Sequence, residues 1–285
     1  MVWYKILLLI LSFLVLIPLF IYWILFASNV SPIKVPNEYY ERNTEKGPGK
    51  VVVSFSTLPS RIDNVQKILQ NLEEQTVLPD LVFINIPHFS KRENRKYVIP
   101  PLKSSLNFYI NRCEDMGPLT KVLPTLEKIR GVNDIIITID DDEIYKKIFI
   151  ERLVQGAKLF PDACVTFGGW NYTRFLWFVV NLLSFSNTRV DILQGYKGVV
   201  YRPHFFKKDF FTNYNRFSNC FTVDDIYISL HLKKYGIPIF KLQFNKNNDS
   251  PFNGKHSKTS SPLGAVNLRN FVWGKCIREL EDKLI

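Results

Sequence analysis

Short apolar segments that alternate with helical patterns are the feature that most constrains the fold of this chain. From Lys50 onwards, runs rich in valine, isoleucine and phenylalanine recur, and helical segments lie between them. These runs are apolar on both faces, which is typical of parallel strands covered by helices on both sides. The sequence therefore predicts an α/β fold with a doubly wound, mostly parallel sheet over residues 50–285.

The ends of the predicted strands carry the polar residues. Strands are predicted at 50–57, 80–87, 106–113, 134–141, 163–169 and 237–242, and helices at 60–75, 124–131, 146–162, 222–236 and 269–284. Ligands of such sheets bind at the carboxyl ends of the strands. Polar groups follow the first four strands, at 57–61, 85–88, 112–121 and 140–143. We therefore expect one anionic, hydroxyl-bearing ligand there, without the help of a GxGxxG or GxxxxGK[ST] phosphate loop.

The N-terminal segment predicts a membrane anchor. Ile6 to Ala27 contains 22 residues and no charge, which suffices to cross a hydrocarbon core of about 30 Å. This apolar stretch is longer than that of a cleaved signal peptide. We expect a single transmembrane helix at 1–27, a Pro- and Gly-containing stalk at 28–49 and the α/β domain at 50–285. The protein would be single-pass, and lumenal as a type II ER or Golgi protein if eukaryotic; the flanking charges leave its orientation open.

Composition narrows the partners only partly. The chain has 37 Lys and Arg against 26 Asp and Glu, a formal charge of +11, which favours nucleotide phosphates, nucleic acid or acidic lipid. The predicted anchor disfavours nucleic acid. Four cysteines are too few for a disulfide scaffold, so buried free thiols are expected: Cys113, Cys164, Cys220 and Cys276.

A run of acids closes the fourth predicted strand. The apolar segment from Ile135 to Ile139 leads directly into Asp140, Asp141, Asp142 and Glu143. Adjacent carboxylates repel one another and lose solvation when they are buried. A bound Mg²⁺ or Mn²⁺ ion would remove this difficulty, and so would a solvated turn. The apolar strand before the acids favours the metal site.

A second pair of acids, Asp224 and Asp225, begins a predicted helix. Aspartate at a helix N-terminus commonly caps free N–H groups, whereas an aspartate that faces a cleft can act as a general base. Several other residues have two interpretations as well. Phosphate clamps or surface cations are predicted at Arg61, Lys121 and Arg112, a metal ligand or a loop histidine at His256, and a turn beside the site at Gly195 and Gly198. The aromatic segment Trp170 to Phe185 is expected to be core, with an acceptor platform or a membrane-facing patch as alternatives.

These motifs together resemble glycosyltransferases of the GT-A fold. They are closest to the family-2-like sugar transferases of bacteria, protists and large viruses. The resemblance covers about Lys50 to Leu242, through SFSTLPSRIDNVQKILQNLEEQTVLPD, INRCEDMGPLTKVLPTLE, IITIDDDEIY, GYKGVVY and DDIYISLHLKKYGI. It implies a membrane-anchored transferase that uses a nucleotide-sugar donor, a glycan or other hydroxyl acceptor, and Mn²⁺ or Mg²⁺.

The resemblance also implies roles for individual residues. The donor would be held by Thr57, Arg61, Lys121, Asp140, Asp141, Gly195 and Tyr196, the metal by Asp142, and the acceptor would be deprotonated by Asp225 with Asp224 beside it. The residue types themselves add Asp140 and His256 as candidate metal ligands. An inverting reaction is expected, although retaining relatives with a DDD motif also exist. Two residues depart from the family pattern, because Lys197 stands where a small residue is usual and Glu143 extends the acidic run.

Two other functions remain open at this stage. A nucleotidyl- or phosphotransferase also places acids and a metal beside a nucleotide on an α/β sheet. An anchored carbohydrate-binding or nucleic-acid-binding module without turnover would be compatible with the positive charge and with an aromatic content of 14%.

Overall fold

A computed structural model describes residues 49–171, 189–214, 220–243, 251–252 and 272–284. Its strands are β1 Val51–Ser56, β2 Leu81–Pro87, β3 Phe89–Ser90, β4 Arg95–Lys96, β5 Phe108–Cys113, β6 Ile135–Thr138, β7 Cys164–Thr166, β8 Gly169–Trp170, β9 Arg189–Val190, β10 Ile192–Leu193, β11 Val199–Tyr201 and β12 Ile239–Lys241. Its α-helices are α1 Asn64–Glu73, α2 Leu123–Lys128, α3 Phe149–Leu159, α4 Lys208–Asn213, α5 Asp224–Lys234 and α6 Val272–Leu284.

The main sheet has eight strands in the order β5-β2-β1-β6-β11-β7-β12-β9. The four strands from β5 to β6 are mutually parallel, as are β7 and β12. Strand β11 runs antiparallel to both of its neighbours, and β9 runs antiparallel to β12. The predicted α/β class with a mostly parallel sheet is therefore confirmed, and the sheet is mixed in its second half.

Alternating side chains of the central strands build two cores. Val51, Val53 and Phe55 of β1 pack on one face with α1 and α3, whereas Val52 packs on the other face with α2 and α5. Successive side chains of a strand point to opposite faces of the sheet. A strand that is apolar at every position is consequently covered on both sides, which agrees with the helices expected on both faces.

A disulfide bond joins α6 to the body of the domain. Cys220 and Cys276, which are 56 residues apart in the chain, have bonded sulfur atoms. The expectation of free thiols is wrong for this pair, because a contact over that separation leaves no local pattern. Cys113 and Cys164 are free cysteines, as expected.

Among the described residues, no helix is both long and apolar enough to cross a membrane. Three predicted segments lie wholly or mostly outside the part of the chain that the structure describes: the anchor at 1–27, the stalk at 28–49 and the aromatic segment Trp170 to Phe185 beyond residue 171. They stay predictions.

Candidate active site

The carboxyl ends of the parallel strands border a cavity of about 790 Å³. Residues after β1, β2, β5 and β6 form one side of it, and residues around α5, β10 and α6 form the other. The cavity is lined by acidic, basic, aromatic and other side chains, among them Thr57, Arg61, Lys91, Arg92, Lys121, Asp140, Asp141, Asp142, Trp170, Ile192, Tyr196, Phe221, Asp224, Asp225 and Trp273.

The acids after β6 are neutralised by cations of the same chain. Lys121 Nζ lies 3.1 Å from Asp140 Oδ1, and the guanidinium of Arg61 lies 2.9 Å from Asp141 Oδ1 and 2.6 Å from Asp142 Oδ2. Neither a metal nor solvent alone is therefore needed to let three adjacent aspartates fold here. Arg61 was expected to hold the donor, and its guanidinium is bound to these two acids.

Burial differs along this acidic run. The side chains of Asp140 and Asp142 are 28% and 22% exposed, whereas that of Asp141 is only 3% exposed. The Thr57 hydroxyl donates a hydrogen bond of 2.6 Å to Asp141 Oδ2. Burial raises the pKa of Asp141 to about 7, although Arg61 and Thr57 both act to lower it. Asp141 therefore supports the loop and adds only a small exposed area to the cavity wall, whereas its two neighbours are more accessible from the cavity.

Lys121 connects the two groups of acids. Its ammonium lies 3.1 Å from Asp140 Oδ1 and 3.2 Å from Asp224 Oδ2, and the side chain is buried. Burial alone would lower the pKa of Lys121, but the carboxylates of Asp140, Asp224 and Asp225 outweigh that effect and hold the pKa well above its ordinary value. Lys121 is consequently a protonated ammonium between the two groups of acids in the cavity wall.

A buried polar network fixes the backbone at Lys121. The hydroxyl of Ser54 on β1 donates to the carbonyl of Lys121 at 2.6 Å and lies 2.7 Å from the hydroxyl of Thr125. Asn85 donates to Thr125 at 2.8 Å, and Asn111 donates to Asn85 at 2.8 Å. Satisfied networks of this kind position their members firmly because breaking one bond leaves a buried polar group unpaired.

Asp225 is oriented by a glycine backbone. The N–H of Gly195 donates to Asp225 Oδ1 at 2.9 Å. Within the described part of the chain, Asp225 Oδ2 accepts no hydrogen bond. Burial and the Asp224 carboxylate raise the pKa of Asp225 well above its ordinary value, with Lys121 opposing them. A Cβ at position 195 would lie 2.6 Å from Lys121 Nζ and 2.7 Å from Asp225 Oδ1, so this contact requires glycine.

The two interpretations of the α5 acids can be compared directly. Helix α5 has Val223 as its N-cap residue, and no side chain caps it by a hydrogen bond. Capping by Asp224 or Asp225 is therefore wrong as an explanation of the pair. Both acids instead face the cavity, one bound to Lys121 and the other to Gly195.

The remaining predicted residues differ in position. Tyr196 lines the cavity, and the Lys197 ammonium lies 4.8 Å from the centre of its ring and 4.3 Å from that of Phe252. Arg112 is exposed and does not line the cavity, so its role as a phosphate clamp is not supported. His256 lies outside the described residues.

Lys91, Arg92 and Trp273 are among the cavity side chains that the sequence did not indicate, and Trp170 was indicated only as the first residue of the aromatic segment. The first two lie in the basic loop after β2, where charge density was the available signal. Trp170 follows a predicted strand and stands at the start of the aromatic segment. Trp273 lies on α6, 49 residues after Asp224 in the chain, and no local pattern relates it to the acids.

The exposed acids fit a cation that is shared with phosphate. Among the residues that the structure describes, no three His, Cys, Asp or Glu side chains are grouped so as to hold a metal ion by themselves. Mg²⁺ and Mn²⁺ are, however, commonly held by one or two carboxylates together with substrate phosphates. Asp140 and Asp142 supply two such groups, and burial and the nearby Asp140 carboxylate raise the pKa of Asp142. A cation bound there would share Asp142 with Arg61.

Comparison with known proteins identifies no family. No family model matches the chain, and no curated protein matches it in sequence. Many solved structures are partly similar, and three of them illustrate the range. They are TarS 1–349 of S. aureus, with 11% identity over 69% of this chain and 58% of that chain at a TM-score of 0.38; the mannosyltransferase PcManGT of Pyrobaculum calidifontis in complex with GDP-Man and Mn²⁺, with 14% identity over 85% and 69% at 0.44; and a 4-diphosphocytidyl-2C-methyl-D-erythritol synthase, with 12% identity over 79% and 99% at 0.38. Likenesses at these TM-scores carry no argument about function, which rests on the cavity itself.

Proposed function

We propose that this protein transfers a sugar from a nucleotide-sugar donor to a hydroxyl group of an acceptor, in a reaction that depends on a divalent cation. The observation that carries the proposal is the contact of Lys121 with Asp140 and Asp224, which joins the acids at the end of β6 to the acids of α5 within one cavity. One group of acids can serve the donor phosphates through a cation, and the other can serve the acceptor.

Asp225 is the proposed general base. Its Oδ1 is held by Gly195, so that Oδ2 can accept the proton of an acceptor hydroxyl. The acceptor oxygen then bonds to the anomeric carbon of the donor sugar. The bond from that carbon to the phosphate oxygen breaks, and its electron pair leaves with the nucleoside diphosphate. Burial raises the pKa of Asp225, which makes its carboxylate a stronger base than an exposed aspartate.

Cations of the cavity are placed to receive the leaving group. The nucleoside diphosphate gains negative charge as the glycosidic bond breaks, and fixed positive groups stabilise that charge where it develops. Lys121 is held in place by its carboxylate partners, while Lys91, Arg92 and Arg61 line the donor side of the cavity. Thr57, Asp141 and Tyr196 complete the proposed donor site.

Asp140 and Asp142 are the proposed metal ligands. A bound Mn²⁺ or Mg²⁺ ion would supply Lewis-acid stabilisation of the pyrophosphate. The other proposed roles belong to side chains of this protein. Arg61 holds the loop of Asp141 and Asp142 in place. Lys121 links Asp140, a proposed metal ligand, to Asp224, which is next to the proposed base.

The disulfide supports a location in an oxidising compartment. Such bonds persist in the secretory pathway, the periplasm and the extracellular space and are rare in the cytosol. The Cys220–Cys276 bond is thus compatible with a catalytic domain on the lumenal or external side of the membrane. The single-pass anchor at 1–27 stays a prediction.

The experiment that tests this function follows the products of the full-length protein. The protein is incubated with a panel of nucleotide sugars, neutral saccharide acceptors and Mn²⁺, and released nucleoside diphosphate is measured with and without EDTA. We expect release that requires both an acceptor and the divalent cation.

Other products would identify the alternatives. Release of pyrophosphate from a nucleoside triphosphate and a sugar phosphate would show a nucleotidyltransferase instead. Saturable sugar binding with no product of either kind across the panel would indicate a non-catalytic module and contradict the proposal.

A further inference from the structure

Two tryptophans from distant parts of the chain meet at the wall of the cavity opposite the donor loops. The rings of Trp170 and Trp273 are stacked, with centroids 6.0 Å apart and planes inclined by 26°. Both side chains are partly exposed and line the cavity. Both rings also pack against the hydrophobic core, and a stacked, partly exposed pair of indoles within a cavity is a candidate binding surface.

Trp170 is connected to the proposed base through a short β-ladder. Strand β8 pairs with β10, with Trp170 opposite Ile192. The next residue of β10, Leu193, donates its N–H to the Ser229 hydroxyl on α5 at 3.1 Å. Two residues further on, Gly195 donates to Asp225. The position of the Trp170 ring is thereby tied to that of the carboxylate.

A disulfide bond links the helix that carries Trp273 to the segment just before the two acids of α5. Trp273 lies one turn before Cys276 on α6, and Cys276 is bonded to Cys220, four residues before Asp224. Helix α6 packs against α5, and Cys276 and Ile277 belong to the core on that side of the sheet. The disulfide therefore holds the second indole over the segment that carries both acids.

We propose that Trp170 and Trp273 form the acceptor subsite and bind a neutral sugar ring by stacking. The proposal rests on the function proposed above. A pyranose has faces of C–H groups, and these pack on the electron-rich face of an indole. Ile192, which lies opposite Trp170 in the β8–β10 ladder, is an apolar neighbour that also lines the cavity. A ring stacked there can direct a hydroxyl towards Asp225, while the donor occupies the opposite, cationic side.

The test uses the full-length protein and six probes, the methyl α- and β-glycosides of glucose, galactose and mannose. Binding is measured by saturation-transfer NMR and titration for the parent, Trp170→Ala and Trp273→Ala. Tyr109→Ala is the matched control, since this exposed aromatic does not line the cavity. We expect at least one glycoside to bind the parent, and each tryptophan variant to weaken it about three- to tenfold. The control should leave binding unchanged.

Nucleoside diphosphate binding shows whether each variant is folded, and it should remain within about twofold of the parent. Trp273→Phe, which keeps an aromatic face, should recover part of the affinity. In turnover, the acceptor KM should rise while kcat and the donor KM change little.

The results separate this inference from the function on which it rests. Sugar binding that depends on both tryptophans, in a protein without transferase activity, would support the subsite and contradict only the proposed function. Transfer with an acceptor KM that is unchanged in both alanine variants would overturn the subsite alone. Failure of the parent to bind any of the six glycosides would also overturn it.

Discussion

Lys121 determines the character of the site at the scale of single residues. One ammonium group lies within ion-pair distance of Asp140 and Asp224, so it compensates carboxylates that arrive from two different elements. Removing one partner from such a buried group leaves an uncompensated charge, which is costly. Gly195 is equally specific, because any side chain there would collide with Lys121 and Asp225.

Asp225→Asn should abolish most of the activity without unfolding the protein. The amide oxygen can still accept the Gly195 N–H, and the repulsion between Asp225 and Asp224 is lost, so the melting temperature should be equal or higher. Loss of the base should lower kcat about 10²- to 10⁴-fold, with donor affinity nearly unchanged. Steady-state kinetics and calorimetric titration with nucleoside diphosphate measure both effects.

Asp63→Asn provides the control for that variant, since Asp63 is exposed and does not line the cavity. It should keep the parental kcat. If Asp225→Asn also kept the parental kcat, Asp225 would not be the base.

Helix α5 illustrates how one element serves both the core and the site. Its first turn carries Asp224 and Asp225, the following residues to Leu232 are mostly buried against the sheet and α6, and Lys233 and Lys234 are exposed. His231 is buried near its last turn and accepts a hydrogen bond from the Lys207 N–H at 3.3 Å through Nε2. Its ring stacks on Phe206 and contacts Phe210 and Tyr235. The helix is thus anchored by a neutral imidazole in an aromatic environment.

The free energy of unfolding should fall on acidification because His231 binds a proton more weakly in the folded protein than in the unfolded chain. Burial lowers the pKa of His231 from 6.5 to about 4, although Asp209 acts to raise it. The unfolded chain therefore binds more protons than the folded protein between these values. Its contribution is present above pH 6.5 and is lost as the pH falls towards 4. The loss between pH 7 and pH 4.5 should be on the order of 2 kcal/mol.

His231→Gln should remove this part of the pH dependence, because glutamine keeps an acceptor but does not titrate in this range. Urea unfolding of the parent and variant at both pH values measures the difference. His204→Gln, at an exposed histidine, is the control and should behave as the parent does. Identical pH dependence in the parent and His231→Gln would contradict the assignment.

At the scale of the whole domain, a disulfide bond joins helix α6 to the segment before α5. The disulfide spans 56 residues of chain and connects α6 to the core that also contains α2 and α5. Cross-links that enclose long loops restrict the unfolded chain strongly. The bond therefore stabilises the domain and fixes one wall of the cavity.

Cys276→Ser should lower the free energy of unfolding by about 4 kcal/mol in the chain-entropy description. That loss corresponds to a fall in melting temperature of roughly 10 °C for a domain of this size. Thermal unfolding with and without reductant measures this fall in melting temperature. The reduced parent should unfold at the same temperature as Cys276→Ser without reductant. Cys113→Ser, at a free cysteine, should be little affected. A parent whose melting temperature does not respond to reductant would show that the bond is absent in solution.

Local patterns were sufficient for the elements of the fold. Apolar runs and helical periodicity predicted β1, β2, β5, β6 and β7 and the helices α1 to α3 to within a few residues, because these signals lie within each segment. The two-residue strands β3 and β4 were not predicted. Boundaries shifted where a turn intervened, as at Pro59–Arg61, which forms a 3-10 turn before α1. The reversed direction of β11 was not predicted, since strand direction depends on how the chain returns to the sheet.

The sequence by itself determined the α/β class, the acidic strand end and the second pair of acids, all of which depend on neighbouring residues in the chain. Only the tertiary structure decided that Arg61 and Lys121 neutralise the first acids, that Gly195 orients Asp225, and that Trp170 meets Trp273. Each of these contacts joins residues that are many positions apart, and their energies depend on distance and burial. A linear pattern carries no information on either quantity until the chain has folded.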